Sequence, residues 1–127
     1  MNEICYASAR RLARLIRTRK LSSAEVVKAY IGQIERVNPK VNAIVTFLPE
    51  QALKQAKRID AQLSRKRSAA SPGPLAGLPI AYKDMVDTAG IRTTYGSPIF
   101  RDHVPARDTL LVERLKAAGA ITLGKTN

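Results

Sequence analysis

Pro74-Leu75-Ala76-Gly77-Leu78-Pro79-Ile80-Ala81-Tyr82-Lys83-Asp84 is the stretch on which the reading of the fold turns. Gly77 and Pro79 punctuate its start, and the residues from Leu78 to Lys83 have the composition of a short strand. The strand delivers two ionisable residues, Lys83 and Asp84, at its carboxyl end, where sheets of α/β proteins gather their functional sites. Alternation sets Lys83 on the face of Pro79 and Ala81, whose small side chains leave room for another group, with Leu78, Ile80 and Tyr82 on the opposite face. With both faces covered, the strand is expected near the centre of a sheet. On pattern alone, Lys83 beside Asp84 reads first as a solvated surface pair worth about 0–1 kcal/mol.

Downstream, Gly90, Gly96, Pro98 and Pro105 break the chain into an irregular region reaching about Arg107. Asp108 suits the N-cap of a helix carrying Leu110, Leu111, Leu115 and Ala118, and Gly119 suits its termination. Ala120 to Leu123 is a second strand, ending in Gly124-Lys125-Thr126-Asn127. Strand, helix, strand is a βαβ unit, so the two strands are expected to run parallel in one sheet.

Upstream the signals are helical. Ala9, Leu12, Ala13 and Ile16 form an amphipathic stripe over residues 8–19. Ser22-Ser23-Ala24-Glu25 spells a capping box, followed by Val26, Val27, Tyr30, Ile31, Ile34 and Val37 on one face, with Asn38-Pro39 as the expected stop. Val41 to Phe47 reads as a short strand. A third helix is expected from about Glu50 to Leu63, burying Ala52, Leu53, Ala56, Ile59 and Leu63. Arg65 to Pro74 is linker-like but too short to separate two domains. The expected fold is α/β: N-terminal helices plus a βαβ portion of a mixed sheet. Residues 1–66 would be mainly helical with a short strand near 41–47, and residues 74–127 would be the sheet portion of the same domain.

A chain of 127 residues with 45% hydrophobic and 25% charged residues can bury a moderate core and has a soluble composition. No apolar run approaches the ~20 residues needed to span a bilayer, and the acidic Glu3 stands where a secretory signal would be basic. A cytoplasmic protein without membrane association is expected. A single cysteine, Cys5, excludes an internal disulfide and a cysteine-cluster metal site. His103 is the sole histidine, in a Pro/Asp/Arg-rich loop that favours a surface or structural role. The net charge of +12 would suit an anionic partner. Its clusters, Arg10 to Lys20 and Arg65-Lys66-Arg67, lie on or at the ends of helices and lack interleaved aromatics, so nucleic acid is disfavoured.

Gly119-Ala120-Ile121-Thr122-Leu123-Gly124-Lys125-Thr126 matches the phosphate-loop pattern G-x-x-x-x-G-K-T letter for letter. A phosphate loop, however, follows a strand and opens a helix. Here a helix precedes, strand residues fill the centre, and Gly119 is committed to ending the helix. Nucleotide binding is therefore rejected.

The ordered blocks resemble the amidase signature family over essentially the whole chain. Gly73 to Asp84 is similar to that family's first conserved block, Gly90 to Ser97 to its continuation, and Asp108 to Asn127 to the next block. The resemblance implies hydrolysis or transfer of carbon–nitrogen amide bonds by a Ser–cis-Ser–Lys triad on a mixed α/β sheet, with no metal or organic cofactor. Lys83 matches the catalytic lysine. Uncharged, it would draw a proton from the bridging serine, which activates the nucleophilic serine for acyl-enzyme formation. Such a lysine must be kept from water, since burial disfavours the charged form. A carboxylate beside it would oppose this, so Asp84 is expected to point away and serve structural hydrogen bonds.

The glycine/serine-rich segment that carries both serines in the family lies beyond the Gly-Lys-Thr-Asn block. Ser8, Ser22, Ser23, Ser64, Ser68, Ser71 and Ser97 match neither position. The chain thus resembles the N-terminal portion of an amidase, supplying only the lysine. It is expected to be inactive alone and to fold poorly with unpaired strand edges. The partner implied for the parent enzyme is a small amide substrate; the oligomeric state is not legible. One alternative is the A subunit of a tRNA-dependent amidotransferase, which the positive charge favours and Tyr95-Gly96-Ser97-Pro98 disfavours. Another is a non-catalytic basic binding module.

Overall fold

The computed structural model describes residues 3–65 and 72–127. Lys66 and Arg67 of the second basic cluster, and most of the linker-like stretch, lie outside the described residues. The elements in chain order are α1 (Glu3–Tyr6), α2 (Ala9–Arg17), α3 (Ser23–Val41), β1 (Ile44–Phe47), α4 (Pro49–Ser64), β2 (Pro79–Lys83), a short 3-10 turn (Pro98–Phe100), α5 (Leu110–Ala117) and β3 (Ile121–Thr126). The described strands form one mixed sheet in the order β1-β3-β2, with β2 parallel and β1 antiparallel to β3. The α/β class and the parallel βαβ pairing are as expected.

The helices form for the reasons their sequences give. Ser8 accepts from the Arg11 amide and caps α2, whose Leu12 and Ile16 are buried while Ala9 stays exposed. The capping box of α3 is present in full: the Ser22 hydroxyl accepts from Glu25 N at 3.1 Å, and the Glu25 carboxylate accepts from Ser22 N at 2.8 Å. Glu25 is exposed; the Ser22 amide, and the Ser22 hydroxyl that also donates to the carboxylate at 2.7 Å, hold its carboxyl below the ordinary value. A further carboxylate caps the same helix from a distance. Asp60 on α4 accepts from Ser23 N at 2.7 Å and Ala24 N at 3.0 Å, joining α4 to the first turn of α3.

Two helix boundaries differ from expectation. Pro39 does not stop α3, which continues to Val41 and ends at Asn42 in the left-handed conformation (φ 47°). Proline costs the helix a donor, but the Asn38 side chain bonds both the N–H and the carbonyl of Ile44 (2.8 and 2.9 Å), fastening the helix end to β1. Consequently β1 begins at Ile44 rather than Val41. In α5 the N-cap is Thr109, not Asp108. Asp108 is drawn instead to the Ala89 amide (2.7 Å) and the Lys116 ammonium (2.7 Å). The helix phase differs accordingly: Val112 is the buried residue, and Leu110 and Leu111 are exposed.

The core has two centres. Val27 of α3, Ala52 and Ala56 of α4, and Ile121 and Leu123 of β3 form one, flanked by Ile31, Ile34, Phe47 and Ile59. Leu12 and Ile16 of α2, Val26 and Leu78 form the other. The central strand is β3, whose residues Ile121 to Lys125 are all buried. β2, expected at the centre, is an edge among the described strands, with Pro79, Ile80 and Ala81 half-buried and Lys83 exposed. A continuous buried run is the mark of a strand covered on both faces, and it is β3 that carries it. Gly119 terminates α5 with φ 90°, as its place in the sequence requires.

Candidate active site

Lys83 is the last residue of β2, paired in register with Thr126. The turn that follows is tied in place: Asp84 N donates to Thr126 O (2.9 Å), Val86 N to Lys83 O (2.9 Å) and Tyr95 N to Asp84 O (2.8 Å). Lys83 borders a concave site of about 190 Å³, shared with Thr46, Arg92, Tyr95 and Asn127. Its side chain is exposed. Among the described strands β2 has a neighbour on one side only.

Asp84 behaves as expected of a structural carboxylate. It is buried, with 6% of its surface accessible, and accepts from Thr94 N at 3.1 and 3.2 Å and from the Thr94 hydroxyl. No described carboxylate forms an ion pair with Lys83; the ion pair among described residues is Lys116–Asp108. Burial raises Asp108's pKa, but bonds from Lys116 and the Ala89 amide outweigh it and hold the group below its ordinary value.

The lysine that is taken out of water is a different one. Lys125 on β3 has no accessible surface. Its ammonium donates to Thr88 Oγ1 at 3.0 Å, Thr93 Oγ1 at 2.9 Å and the carbonyl of Val86. Those are three acceptors for the three donors of an ammonium. Desolvation pushes Lys125 down from its ordinary value, against the Asp84, Asp87 and Asp108 carboxylates, which favour its charge.

The sequence places Lys125 at the end of the second strand, in the family-like Gly-Lys-Thr-Asn block and in the rejected phosphate-loop match, and none of these assigns it a role. The rejection stands on the geometry expected of it: Gly119 ends α5, and Ile121–Thr126 is strand. The role of Lys125 was hidden by an irregularity in the β2–β3 ladder. Ile80 pairs with Thr122 and Tyr82 with Lys125, with a shift between Ile80 and Ala81. Paired residues of parallel strands share a face, so the extra residue in β3 sets Lys125 on the Ile80, Tyr82 and Thr122 face. Simple alternation would have grouped it with Ile121 and Leu123. A basic residue in a run otherwise reading as buried strand is the signal that could have found it.

His103 is held in an aromatic group, its ring 5.7 Å from Tyr95 and 5.9 Å from Phe100, with Nε2 3.3 Å from the Tyr95 hydroxyl. That hydroxyl also donates to Asp87, a bond that raises the Tyr95 pKa. Burial raises the Cys5 thiol's pKa, and the thiol donates to Ala29 O at 3.4 Å. Among the described residues no group of three or more His, Cys, Asp or Glu is placed to hold a metal. No helix among them is long and apolar enough to cross a membrane.

A family model described as Amidase matches residues 25–127. The chain belongs to the amidase family. The mixed sheet fits that family, and relatives agree. The amidase chain is 45% identical over 125 residues to the A subunit of the glutamyl-tRNA(Gln) amidotransferase of Carboxydothermus hydrogenoformans, covering 98% of this chain and 25% of that protein. Among solved structures, a fatty acid amide hydrolase superposes with a TM-score of 0.90 at 27% identity, covering 98% of this chain and 22% of that one. The native peptide amidase of Stenotrophomonas maltophilia superposes with a TM-score of 0.82 at 32% identity, covering 95% and 24%. This amidase chain spans about a quarter of the length of the curated relatives it matches.

Proposed function

We propose that these residues form one continuous part of a single amidase domain, and that Lys83 is the general base of a Ser–cis-Ser–Lys triad whose serines lie outside the 127 residues. The observation that carries the reading is the family match spanning Lys83 at the carboxyl end of a parallel strand. Lys83 lines a cleft, has no carboxylate partner among the described residues, and its neighbour Asp84 is held by Thr94. A serine-based site needs no metal, and the substrate class is a small amide. On this reading the remaining domain covers the open edge of β2 and brings the serines within reach of Lys83. The complete protein should release ammonia or amine from simple amides. No release from any of a panel of primary and secondary amides, by protein shown to be folded, would sink the reading.

The second reading is supported by the 45% identity to the A subunit of an amidotransferase. On it, the complete protein would act in a complex on glutamyl-tRNA(Gln). Co-purification with partner proteins, together with amide transfer that appears only in the complex, would select this reading; a lone active hydrolase would remove it.

A further inference from the structure

We propose that Lys125 is a positioning residue for the Lys83 site, a clamp that sets the turn and loop after β2 against the strand on which Lys83 is registered. The proposal rests on the reading of Lys83 as the catalytic base. Removing an ammonium from water is costly, and an apolar residue of similar volume is often as stable in such a place. Yet this site holds a fully buried lysine whose three donors all go to one loop: the carbonyl of Val86 and the hydroxyls of Thr88 and Thr93. The two hydroxyls are themselves fixed, Thr88 donating to Val86 O (3.1 Å) and Thr93 to Ile91 O (3.0 Å). The same loop returns to the site immediately afterwards, through the Thr94 amide on the Asp84 carboxylate and the Tyr95 amide on the Asp84 carbonyl. The residue next to Lys125, Thr126, is the register partner of Lys83, and its carbonyl accepts from the Asp84 amide.

Lys125 therefore joins, through one ammonium, the strand beside Lys83 and the loop that carries Arg92 and Tyr95 into the cleft. Because Lys125 is buried by the described residues alone, further chain packing around them cannot uncover it. The arrangement specifies geometry: a hydrophobic side chain would fill the volume but leave the Thr88 and Thr93 hydroxyls without the ammonium that donates to them, and the Val86 carbonyl with the Thr88 hydroxyl alone. Displacements of about 1 Å at a reacting group can cost on the order of 100-fold in rate, so a loosened clamp should be read out in turnover.

The test compares Lys125→Met, Thr93→Val, Thr93→Ser and Lys83→Ala in the complete protein, with kcat and KM for amide hydrolysis measured where circular dichroism shows each variant folded. The expected result is a fall in kcat of at least about 10-fold for Lys125→Met and Thr93→Val with KM changed far less. Thr93→Ser, which keeps the acceptor, should stay within about 2-fold. If Lys125→Met does not fold, Thr93→Val against Thr93→Ser decides alone. Should Thr93→Val lower the melting temperature yet keep wild-type kcat per folded molecule, while Lys83→Ala is inactive, the positioning role falls and the catalytic reading survives. Retention of activity by Lys83→Ala would overturn both.

Discussion

Gly124 offers the sharpest structural prediction. It lies in β3 opposite Phe47 of β1 and Ala81 of β2, at φ 156°. A Cβ built there would meet the Thr46 carbonyl oxygen at 2.0 Å, with Thr46 C at 3.1 Å and Phe47 Cα at 3.3 Å behind it. A real Cβ essentially never approaches another heavy atom closer than 3.0 Å, so Gly124→Ala must push β1 away from the central strand by about 1 Å. The obstacle is backbone and cannot rotate aside. Overpacking of this kind costs about 1–3 kcal/mol, and a sparsely populated backbone conformation adds about 1 kcal/mol or more. We expect a loss of about 3 kcal/mol in denaturant titrations of the complete protein. Gly90→Ala isolates the conformational part, since φ there is 72° and nothing lies within 4 Å of the new methyl; it should cost about 1 kcal/mol. If Gly124→Ala costs no more than Gly90→Ala, the close approach of β1 to β3 is wrong.

Four further outcomes follow from the helix caps and the loop. Ser22→Ala removes the hydroxyl that takes the Glu25 amide and should cost about 1 kcal/mol in unfolding free energy. Because Glu25's folded pKa is lowered, its contribution is present above the unfolded value near 4.3 and is lost as pH falls through the folded value. Glu25→Gln should therefore flatten the acid limb of a stability–pH profile, and an unchanged limb would remove the capping-box contribution. Asp60→Ala frees the amides of Ser23 and Ala24 and should cost about 1–2 kcal/mol, measurable by thermal unfolding and visible as faster exchange of those two amides. Asp84→Ala strands the Thr94 donors beside Lys83 and should cost about 1–3 kcal/mol together with amide-hydrolysis rate; loss of stability with intact turnover would separate Asp84 from the site.

Much of the architecture was legible because the signals were local. The Ser22–Glu25 box, the apolar faces of α2, α3 and α4 and Gly119 as terminator all follow from residues within a few positions of one another, and the parallel pairing follows from the strand–helix–strand order. The misreadings arose where distant groups decided. Asp108 looked like a cap until Ala89 and Lys116 claimed it. Pro39 looked like a stop until Asn38 bridged to Ile44. The centre of the sheet fell to β3 because the order β1-β3-β2 depends on a long-range antiparallel pairing that no local pattern specifies. Near the cleft, the placement of Lys83 at the end of a strand and the structural hydrogen bonds of Asp84 were readable from the strand and its neighbours. Lys125 was not, since a one-residue irregularity reverses its face and its acceptors lie more than thirty positions away.

The most direct test of the account is the rate of amide hydrolysis by the complete protein with Lys83→Ala, at saturating substrate and with folding verified. A general base contributes about 10²–10⁴-fold, so the variant should lose at least about 100-fold in kcat while still binding substrate. Wild-type turnover by folded Lys83→Ala would contradict the assignment of Lys83 as the base.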